Sequence, residues 1–248
     1  MRKLIAAVLV AGATLVAPAI AADFPEYPPV IDIPDVDYGV QGSFYLRGSA
    51  ALNSMWAKEV NHPTATPTTV FAIDGNGYGY SVGAGFGYET GTGLRFDATI
   101  DVLGNEDMQT TLPAGTTFPL VGPSPVGVHK LSLRSTVALA NVYYDFGFGG
   151  TGYGASGGAF GYVGAGAGIA VNDFITTGPG NPDTRDTNLS FAAAGMVGVG
   201  YDFGAVVADV GYRGLYINSI DNNAAPAPYS IANNWVHEVR TTVRYRFN

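Results

Sequence analysis

The side chains of this sequence that could do chemistry are mainly arginines and carboxylates, and they recur at alternate positions. Near the C-terminus, Glu238, Arg240 and Arg244 alternate with apolar and aromatic residues. Alternate side chains of an extended chain point to opposite faces, so these charges share one face of a strand. Charges are tolerated in an enclosed interior when they are paired, and the pattern therefore predicts an ion-pair network. Its predicted members are Arg47, Glu89, Arg95, Asp97, Asp101, Arg134, Asp209, Arg213, Glu238, Arg240, Arg244 and Arg246.

Three histidines, His62, His129 and His237, form a second candidate set, because imidazole can transfer protons or ligate a metal or haem iron. His62 falls in the first predicted loop, and His129 and His237 fall near the predicted outer ends of strands. The residues beside them have no spacing typical of a hydrolase or a metal site. Cysteine is absent, which excludes disulfides and thiolate chemistry. The sequence therefore predicts neither an enzyme nor a cofactor, and a haem- or ligand-binding surface receptor is kept as an alternative.

Eight segments of alternating apolar and polar residues are predicted to position these side chains. Beyond the N-terminal stretch, no run approaches the roughly 18 apolar residues of a membrane-spanning helix. A chain with 35 glycines and 13% charged residues, hydrophobic by alternation rather than in blocks, is typical of a transmembrane β-barrel. We predict an all-β protein, an eight-stranded antiparallel up-and-down transmembrane β-barrel. The predicted strands are 42–53, 77–89, 93–103, 128–146, 158–171, 188–202, 206–217 and 234–248.

The strand at 77–89 indicates which face is the outside. Its aromatic and aliphatic residues, from Tyr78 to Tyr88, share one face, and five glycines lie on the other. Glycines would bury little apolar area in a soluble core, but they suit the crowded interior of a narrow barrel. Seven strand arginines also lie opposite the apolar faces, and each would cost roughly 2–4 kcal/mol in lipid. The apolar faces are therefore predicted to contact lipid, and the charged faces to line the lumen.

Two of the strands have weaker patterns. In the strand 128–146, the aliphatic residues Leu131, Leu133, Val137 and Leu139 are predicted to face outward and Arg134 inward. The phase then slips near Asn141, which we assign to a bulge or to the membrane interface. The strand 158–171 is so rich in glycine and alanine that its register is weakly specified.

Aromatic residues near the strand ends are predicted to form the two interfacial girdles of such a barrel, because their rings suit the boundary between lipid and water. The candidates are Tyr78, Tyr80, Tyr88, Tyr143, Tyr144, Phe146, Tyr201, Phe203, Tyr216, Trp235, Tyr245 and Phe247.

The gaps between the strands alternate in length, which indicates an orientation in the membrane. The long gaps are 54–76, 104–127, 172–187 and 218–233, and the short ones are 90–92, 147–157 and 203–205. Outer-membrane barrels have long extracellular loops and tight periplasmic turns, and an even strand number returns both termini to the periplasm. We therefore predict periplasmic termini and assign any surface ligand to the four long loops. The Gly-rich stretch 147–158 lacks the ending of a phosphate-binding loop and is predicted to be a turn.

Residues 1–40 are predicted to lie outside the barrel domain, 41–248. The first 21 residues combine a basic start, an apolar run and an Ala-Ile-Ala cleavage site, the pattern of a cleaved signal peptide. The following segment, 22–40, is rich in proline and acidic residues and is predicted to be an extended periplasmic segment. The formal net charge of −8, or −10 without Arg2 and Lys3, argues against a nucleic-acid partner.

Four short motifs carry a resemblance to a known family. They are Phe44-Tyr45-Leu46-Arg47-Gly48, Asn141-Val142-Tyr143-Tyr144-Asp145-Phe146, Gly200-Tyr201-Asp202-Phe203-Gly204 and Val243-Arg244-Tyr245-Arg246-Phe247. Over residues 41–248 the chain resembles the small outer-membrane β-barrels of alphaproteobacteria, the OmpA-like and opacity-like porin-family proteins.

This resemblance implies an integral outer-membrane protein for envelope integrity or surface interaction, in contact with lipid and lipopolysaccharide and without catalytic residues. It also implies that Tyr245 and Phe247 belong to a terminal signal for the barrel-assembly machinery. In the family the last residue is usually aromatic, whereas here Asn248 follows Phe247. A narrow ion-conducting channel is the alternative function that the charged lumen leaves open.

Overall fold

The computed structural model describes residues 42–118, 122–123, 126–148, 157–179, 181–223 and 228–247. Among these residues, no helix has the length and apolar character needed to cross a membrane. The predicted signal peptide 1–21, the acidic segment 22–40, positions 149–156 of the predicted Gly-rich turn and Asn248 lie outside the described residues.

The described residues form twelve β-strands. In chain order they are β1 (Ser43–Trp56), β2 (Glu59–Asn61), β3 (Val70–Gly75), β4 (Gly77–Glu89), β5 (Leu94–Leu112), β6 (Thr117–Phe118), β7 (Gly122–Pro123), β8 (Gly127–Gly147), β9 (Gly158–Gly178), β10 (Asn181–Asp202), β11 (Val206–Asn222) and β12 (Tyr229–Phe247). Eight of them close a ring in the order β1, β4, β5, β8, β9, β10, β11 and β12, and each neighbouring pair is antiparallel. The predicted eight-stranded antiparallel up-and-down barrel is confirmed.

The ring closes between its first and last strands. β1 and β12 pair without interruption from Phe44 opposite Phe247 to Trp56 opposite Trp235. From Phe44 to Leu52 on β1 and from Glu238 to Phe247 on β12, the outward residues are mainly apolar and the inward ones mainly polar, as predicted. A slip of one residue would turn every side chain to the other face, so the alternation fixes this register. We call the end of the barrel that carries Ser43 and Phe247 the terminal end, and the opposite end the loop end.

At the loop end, the short strands β2 and β3 continue the wall above β1 and β4. β2 pairs with β3, and β3 pairs with β5. One further pair, Asn61 opposite Ser230, joins β2 to β12. At the loop end, β2 and β3 therefore connect β12 to β5, whereas nearer the terminal end β1 and β4 connect them.

The predicted long loops are shorter in the structure, because the strands extend far beyond their predicted ends. β9 runs to Gly178 and β10 begins at Asn181, so most of 172–187 is paired strand. β11 and β12 likewise pair up to Asn222 opposite Tyr229, within the predicted loop 218–233. Here the outer faces turn polar, so the apolar alternation that revealed the strands is lost although the backbone ladder continues.

The prediction for β8 was wrong in phase. Leu131, Leu133 and Leu139 are buried inside the barrel, whereas Arg134 is exposed on the outer wall. β8 also pairs in continuous register through Asn141, so the predicted phase slip does not occur there. Both faces of β8 carry apolar residues, and its own pattern cannot choose between them. Pairing decides: the inward side chain of Thr99 on β5 lies opposite Leu139.

A register shift does occur, but on β5, between Asn105 and Met108. Asp107 lies in this interval and has a left-handed backbone, with φ of 67°. β9, whose register was predicted to be weakly specified, pairs continuously with β8 from Thr177 to Phe160. Its inward glycines lie against large side chains of β8, such as Tyr143 beside Gly164. Fit with these neighbours supplies the register that the Gly-Ala sequence lacks.

Candidate functional site

The middle of the lumen holds two arginines and two carboxylates in alternation. Arg213 donates to Asp101 (Nη1 to Oδ2, 2.6 Å) and to Glu238 (Nε to Oε2, 2.6 Å). Arg240 donates to the same two acids, at 2.7 Å to Oδ1 of Asp101 and 3.0 Å to Oε2 of Glu238. All four residues are buried. Each carboxylate therefore lies between two cations, which compensates both charges for lost hydration.

Strand pairing brings these four side chains together from three strands. Arg213 on β11 lies opposite Glu238 on β12, and Asp101 reaches them from β5 across the lumen. On β4, Gly83 lies opposite Asp101, and a Cβ atom at Gly83 would be 1.9 Å from Oδ1 of the carboxylate. The glycine leaves the space that the acid needs, which agrees with the role predicted for inward glycines.

A second group surrounds Asp97, which lies two inward positions closer to the terminal end than Asp101 on β5. Its carboxylate accepts from Arg47 at 2.8 Å, from the hydroxyl of Tyr45 at 2.9 Å and from the side-chain amide of Asn141 at 2.8 Å. Arg47 also donates to the hydroxyl of Tyr143 at 2.8 Å. Three strands, β1, β5 and β8, therefore contribute to one hydrogen-bonded group, because these positions face inward at similar heights.

Arg95 and Arg244 lie nearer still to the terminal end. Arg95 makes two parallel hydrogen bonds to Asp145, at 3.1 and 2.9 Å, and its guanidinium lies 4.0 Å from the ring centroid of Tyr143. Arg244 approaches Asp145 at 3.7 Å and Asp209 at 3.8 Å. The forked bond and the stacked ring suit arginine rather than lysine.

The last group lies at the terminal end itself. Arg246 donates to Asp202 at 2.6 Å and also forms an ion pair with Glu89. Glu89 lies 3.5 Å from Arg244, which joins this group to the one above it. We call the whole set of inward charged residues, from Arg246 to Asp101, the charged layer.

The structure places eleven of the twelve predicted network residues on the inward faces of strands; Arg134 is the exception. It lies on the outer wall, opposite Gly104 on β5 and Asp173 on β9. The error follows from the wrong phase of β8. Arg134 also lies beyond the apolar part of the outer wall, so the argument that an outward arginine would meet lipid does not apply to it.

Sequence reasoning missed two inward carboxylates, Asp145 and Asp202. Each follows an outward tyrosine, Tyr144 and Tyr201 respectively, so alternation places both in the lumen. Asp145 was passed over because of the supposed phase slip in β8. Asp202 is the last residue of the predicted strand 188–202, next to the short gap 203–205. With them, the charged layer contains six arginines and seven carboxylates among the described residues.

Above the charged layer, towards the loop end, the lumen is filled by apolar side chains. We call this set the apolar layer; it is centred on buried residues that include Met55, Leu103, Leu133, Val137, Phe174, Leu215, Ile217 and Val236. Its members continue the same inward faces, since Leu103 follows Asp101 and Leu215 follows Arg213 at the next inward position. On β5, β11 and β12 the inner face therefore changes from ionic to apolar within one inward position.

The two layers leave little open space inside the barrel. In the charged layer, the cavity beside Arg47, Arg95 and Arg213 is about 10 Å³. That is about the space that one water molecule needs. The apolar layer above it has several side chains with no exposed surface, including Leu103, Phe174 and Leu215. The described residues therefore fill the lumen with side chains.

The outer wall has the opposite character. On β5 the outward residues from Leu94 to Val102 are uncharged, and Ile100 is 59% exposed. At about 3.4 Å per residue and a tilt of about 40°, this stretch spans roughly 20 Å along the barrel axis. The apolar band of membrane barrels is about 25 Å high. We call the corresponding zone around the barrel the apolar belt.

Aromatic residues lie at both edges of the apolar belt. Trp235 packs on Tyr216 at its loop-end edge, with ring centroids 5.3 Å apart. Tyr245 packs on Phe247 at its terminal edge, with a separation of 5.4 Å. These positions agree with the predicted girdles. Tyr143 does not: it is buried in the lumen, because the inward face of β8 was assigned wrongly.

The three histidines do not form one cluster. His237 lies on the outer wall, where its ring stacks on Tyr212 with centroids 6.0 Å apart. His62 and His129 instead line the same loop-end pocket, a cavity of about 50 Å³. No group of three or more histidine and acidic side chains in the described part of the chain is arranged to hold a metal ion.

No protein-family model and no curated protein matches the chain, so membership of the alphaproteobacterial family stays a prediction. Several solved outer-membrane proteins are similar in structure. The neisserial surface protein A is 21% identical, with 82% of this chain and 97% of that chain covered and a TM-score of 0.49. OprG from Pseudomonas aeruginosa is 14% identical, with 86% of this chain and 100% of that chain covered and a TM-score of 0.41. Ail from Yersinia pestis is 11% identical, with 84% of this chain and 99% of that chain covered and a TM-score of 0.37. Because all three TM-scores are below 0.5, neither the fold nor the function of this chain rests on them.

Proposed function

We propose that this chain is an integral outer-membrane β-barrel with a structural or surface-interaction role. The observation that carries the proposal is the inverted distribution of polarity, with paired arginines and carboxylates inside and exposed aliphatic and aromatic residues outside. Water-soluble proteins rarely expose so large a continuous apolar surface. A lipid bilayer solvates such a surface, and a closed barrel satisfies its backbone hydrogen bonds within it.

The orientation of the barrel in the membrane follows from the number of its strands. The even number of ring strands brings Ser43 and Phe247 to one end, which we assign to the periplasm; the loop end is then extracellular. Residues 1–21 would act as the signal peptide for export, and Tyr245 and Phe247 would be read by the barrel-assembly machinery. The extended hairpins at the loop end, rather than long loops, would then meet any surface partner.

Lipopolysaccharide is the lipid that we expect at the loop-end edge of the apolar belt. Three cations, Lys130, Arg134 and Arg185, face outward there. Lys130 pairs with Asp107 and Arg185 with Asp173, which leaves their outer sides open to solvent. Cations at this height suit the phosphate groups of an anionic outer leaflet.

The filled lumen favours this role over a narrow ion channel. A conducting path needs continuous water, whereas the apolar layer presents buried aliphatic side chains across the lumen. Purified protein in planar bilayers should therefore give no steady current. A stable, ion-selective conductance would favour the channel instead.

The membrane assignment can be tested by placing one charge in the apolar belt. Ile100→Arg should destabilise the barrel in phospholipid vesicles by roughly 2–4 kcal/mol, because the guanidinium would face hydrocarbon. Glu106→Arg is the matched control, on the outward side of the same strand but beyond the belt. Urea unfolding in vesicles, followed by the gel shift between boiled and unboiled samples, measures both. Equal stability of the two variants would contradict a lipid-facing outer wall.

A further inference from the structure

A cleft opens on the outer wall at the loop end, where the end of β3 and the start of β4 meet β5 and β8. Its volume is about 630 Å³. The polar side chains that line it belong to Asp74, Asn76, Asp107, Gln109 and Lys130. Ligand sites of proteins are commonly clefts of about 300–1,000 Å³, so this one has room for a small molecule. We call it the polar cleft.

Two irregularities of the backbone form the polar cleft. Asn76 separates β3 from β4, and on the facing strand β5 the register shifts around Asp107, whose φ is 67°. Such a bulge bends its strand and redirects the side chains around it. The carboxylate of Asp107 lies on the outer side, where it accepts from Nζ of Lys130 at 2.9 Å. The interrupted wall therefore forms a polar recess instead of a smooth strand face.

Most hydrogen-bonding groups of the polar cleft have no protein partner. Among the described residues, the side chains of Asp74, Asn76 and Gln109 form no hydrogen bond or ion pair. Lys130 donates one bond, to Asp107, and its ammonium group can donate two more. A carboxylate, two amides and an ammonium group therefore offer both acceptors and donors to a molecule in the recess.

The charges of the polar cleft favour a neutral ligand. Asp74 and Asp107 face a single cation, Lys130, which leaves a net charge of −1. A phosphate group would meet a carboxylate of like charge, which disfavours its binding. Hydroxyl groups carry no charge, and they donate to carboxylates and amide oxygens and accept from amide and ammonium groups.

Tyr78 borders the polar cleft on the side nearest the apolar belt. Its ring is 64% exposed and is one of the predicted girdle residues. Tyrosine combines an apolar ring face with a polar tip, which suits the boundary between lipid and water. With the loop end extracellular, the polar cleft therefore opens into the head-group layer of the outer leaflet, where the lipid carries sugars.

We propose that the polar cleft binds a pyranose ring. The hydroxyl groups of the sugar bond to Asp74, Asn76 and Gln109, and one C–H face of its ring lies on Tyr78. This assignment deepens the surface-interaction role proposed above and rests on it, because the orientation of the barrel places the cleft among sugars. The ring can belong to lipopolysaccharide or to a free glycan, since both present the same hydroxyl groups.

The first arm of the test uses soluble sugars. The full protein is refolded in phosphatidylcholine nanodiscs, and the side-chain amide signals of Asn76 and Gln109 are followed by NMR. The probes are the methyl glycosides of glucose, galactose, mannose and N-acetylglucosamine, and sorbitol is the open-chain control. At least one glycoside should shift both signals with saturation, and sorbitol should bind at least about tenfold more weakly, because it has no ring face for Tyr78. Equal affinity for sorbitol would overturn the proposal.

The second arm identifies the source of the sugar. Nanodiscs with increasing fractions of lipopolysaccharide replace the soluble glycosides. Saturable shifts in this arm alone support a lipid-borne sugar, and saturable shifts with a glycoside support a site that also takes free glycans. No saturable shift in either arm overturns the proposal. Ile100→Arg tests the lipid-facing wall separately, so that a failure of the cleft is distinguished from a failure of the membrane assignment.

Variants locate the site. Asp74→Ala and Tyr78→Ala should each weaken binding by about tenfold or more, because one removes a charged acceptor and the other the ring platform. Glu59→Ala and Tyr80→Ala remove the same kinds of side chain outside the cleft and should change nothing. All four positions are exposed, and the gel shift on boiling checks that each variant folds.

Lipopolysaccharide could also shift the amide signals through its phosphate groups. Arg134→Gln distinguishes this contact from a sugar in the cleft, because Arg134 is a cation on the outer wall that does not line the cleft. Binding that is lost in Arg134→Gln but survives in Asp74→Ala and Tyr78→Ala would overturn the proposal in favour of a phosphate contact. Binding that is lost in Asp74→Ala and survives in Arg134→Gln supports it.

Discussion

The charged layer and the apolar layer fill neighbouring parts of one lumen by opposite means. Around Asp101, each of the four buried charges has two partners of opposite charge, so the fit is directional. Around Phe174 and Leu215, the side chains exclude water by volume alone, without a required partner. The strands continue straight from one layer to the other. The wall of a barrel therefore does not dictate how its interior is filled, provided that every inward side chain is either paired or packed.

Removing one charge from the charged layer should have the largest effect on stability and is the strongest test of the difference between the two layers. Arg240→Leu should lower the free energy of unfolding by about 3–5 kcal/mol, because Asp101 and Glu238 each lose a buried partner. Urea unfolding in vesicles measures the loss. Arg134→Leu, on the outer wall, should change stability by no more than about 0.5 kcal/mol and serves as control.

If charge pairing stabilises the charged layer, a second substitution that restores the charge balance should recover part of the lost stability. Adding Glu238→Leu to Arg240→Leu leaves Arg213 with Asp101 as a single neutral pair, so the double variant should be more stable than Arg240→Leu alone. A double variant that is weaker still would indicate that volume, not charge balance, dominates in the charged layer.

A comparable deletion in the apolar layer should behave differently. Phe174→Ala should cost about 3 kcal/mol, since the ring has no exposed surface and its removal leaves a cavity. No second substitution that balances charge should restore this loss, whereas Phe174→Leu should restore part of it. Unfolding curves of the three proteins decide; a loss below about 1 kcal/mol would mean that the layer collapses around the gap.

Acid should affect the loop end through His62. Because its pKa is lowered to about 4 in the folded protein, the unfolded chain takes up a proton near pH 6.5 and the folded one does not. Stability should therefore fall by up to about 3 kcal/mol as the pH decreases from 6.5 to 4, and no further below that. Unfolding of wild type and His62→Phe at pH 7, 5.5 and 4.5 tests this. Parallel losses in the two proteins would show that groups other than His62 cause the effect.

Inward glycines are closely surrounded by neighbouring atoms, and adding a methyl group at one of them should have the smallest effect on stability of the changes considered. A Cβ atom at the inward Gly168 would lie 1.9 Å from the carbonyl oxygen of Ala138, so Gly168→Ala should cost about 1–3 kcal/mol. Gly48 on the outer wall has nothing within 4 Å, and Gly48→Ala should be neutral or stabilise by up to about 1 kcal/mol. A reversed order in unfolding midpoints would contradict the close packing of the interior.

Most of the barrel could be predicted because alternation is a local property. On β1, β4, β5, β10, β11 and β12 the outward and inward residues are those that the pattern assigned. The prediction for β8 was wrong because both of its faces carry apolar residues. Its own sequence therefore shows which residues share a face but not which face points into the lumen. The strand ends near Gly178 and Tyr229 were not predicted because their outer faces become mainly polar, while apolar residues such as Phe174 and Ile231 lie on the inner face. The outward apolar phase that marks the other strands is therefore missing there.

The sequence by itself determined that eight amphipathic strands form a barrel with arginines on one face, because side-chain direction follows from the period of an extended chain. Only the tertiary structure decided which carboxylate meets which arginine, where the ionic filling gives way to the apolar one, and that His62 and His129 share a chamber while His237 does not. These facts depend on the height at which residues from distant strands meet across the lumen. That height is set by the register between strands, and no single strand encodes it.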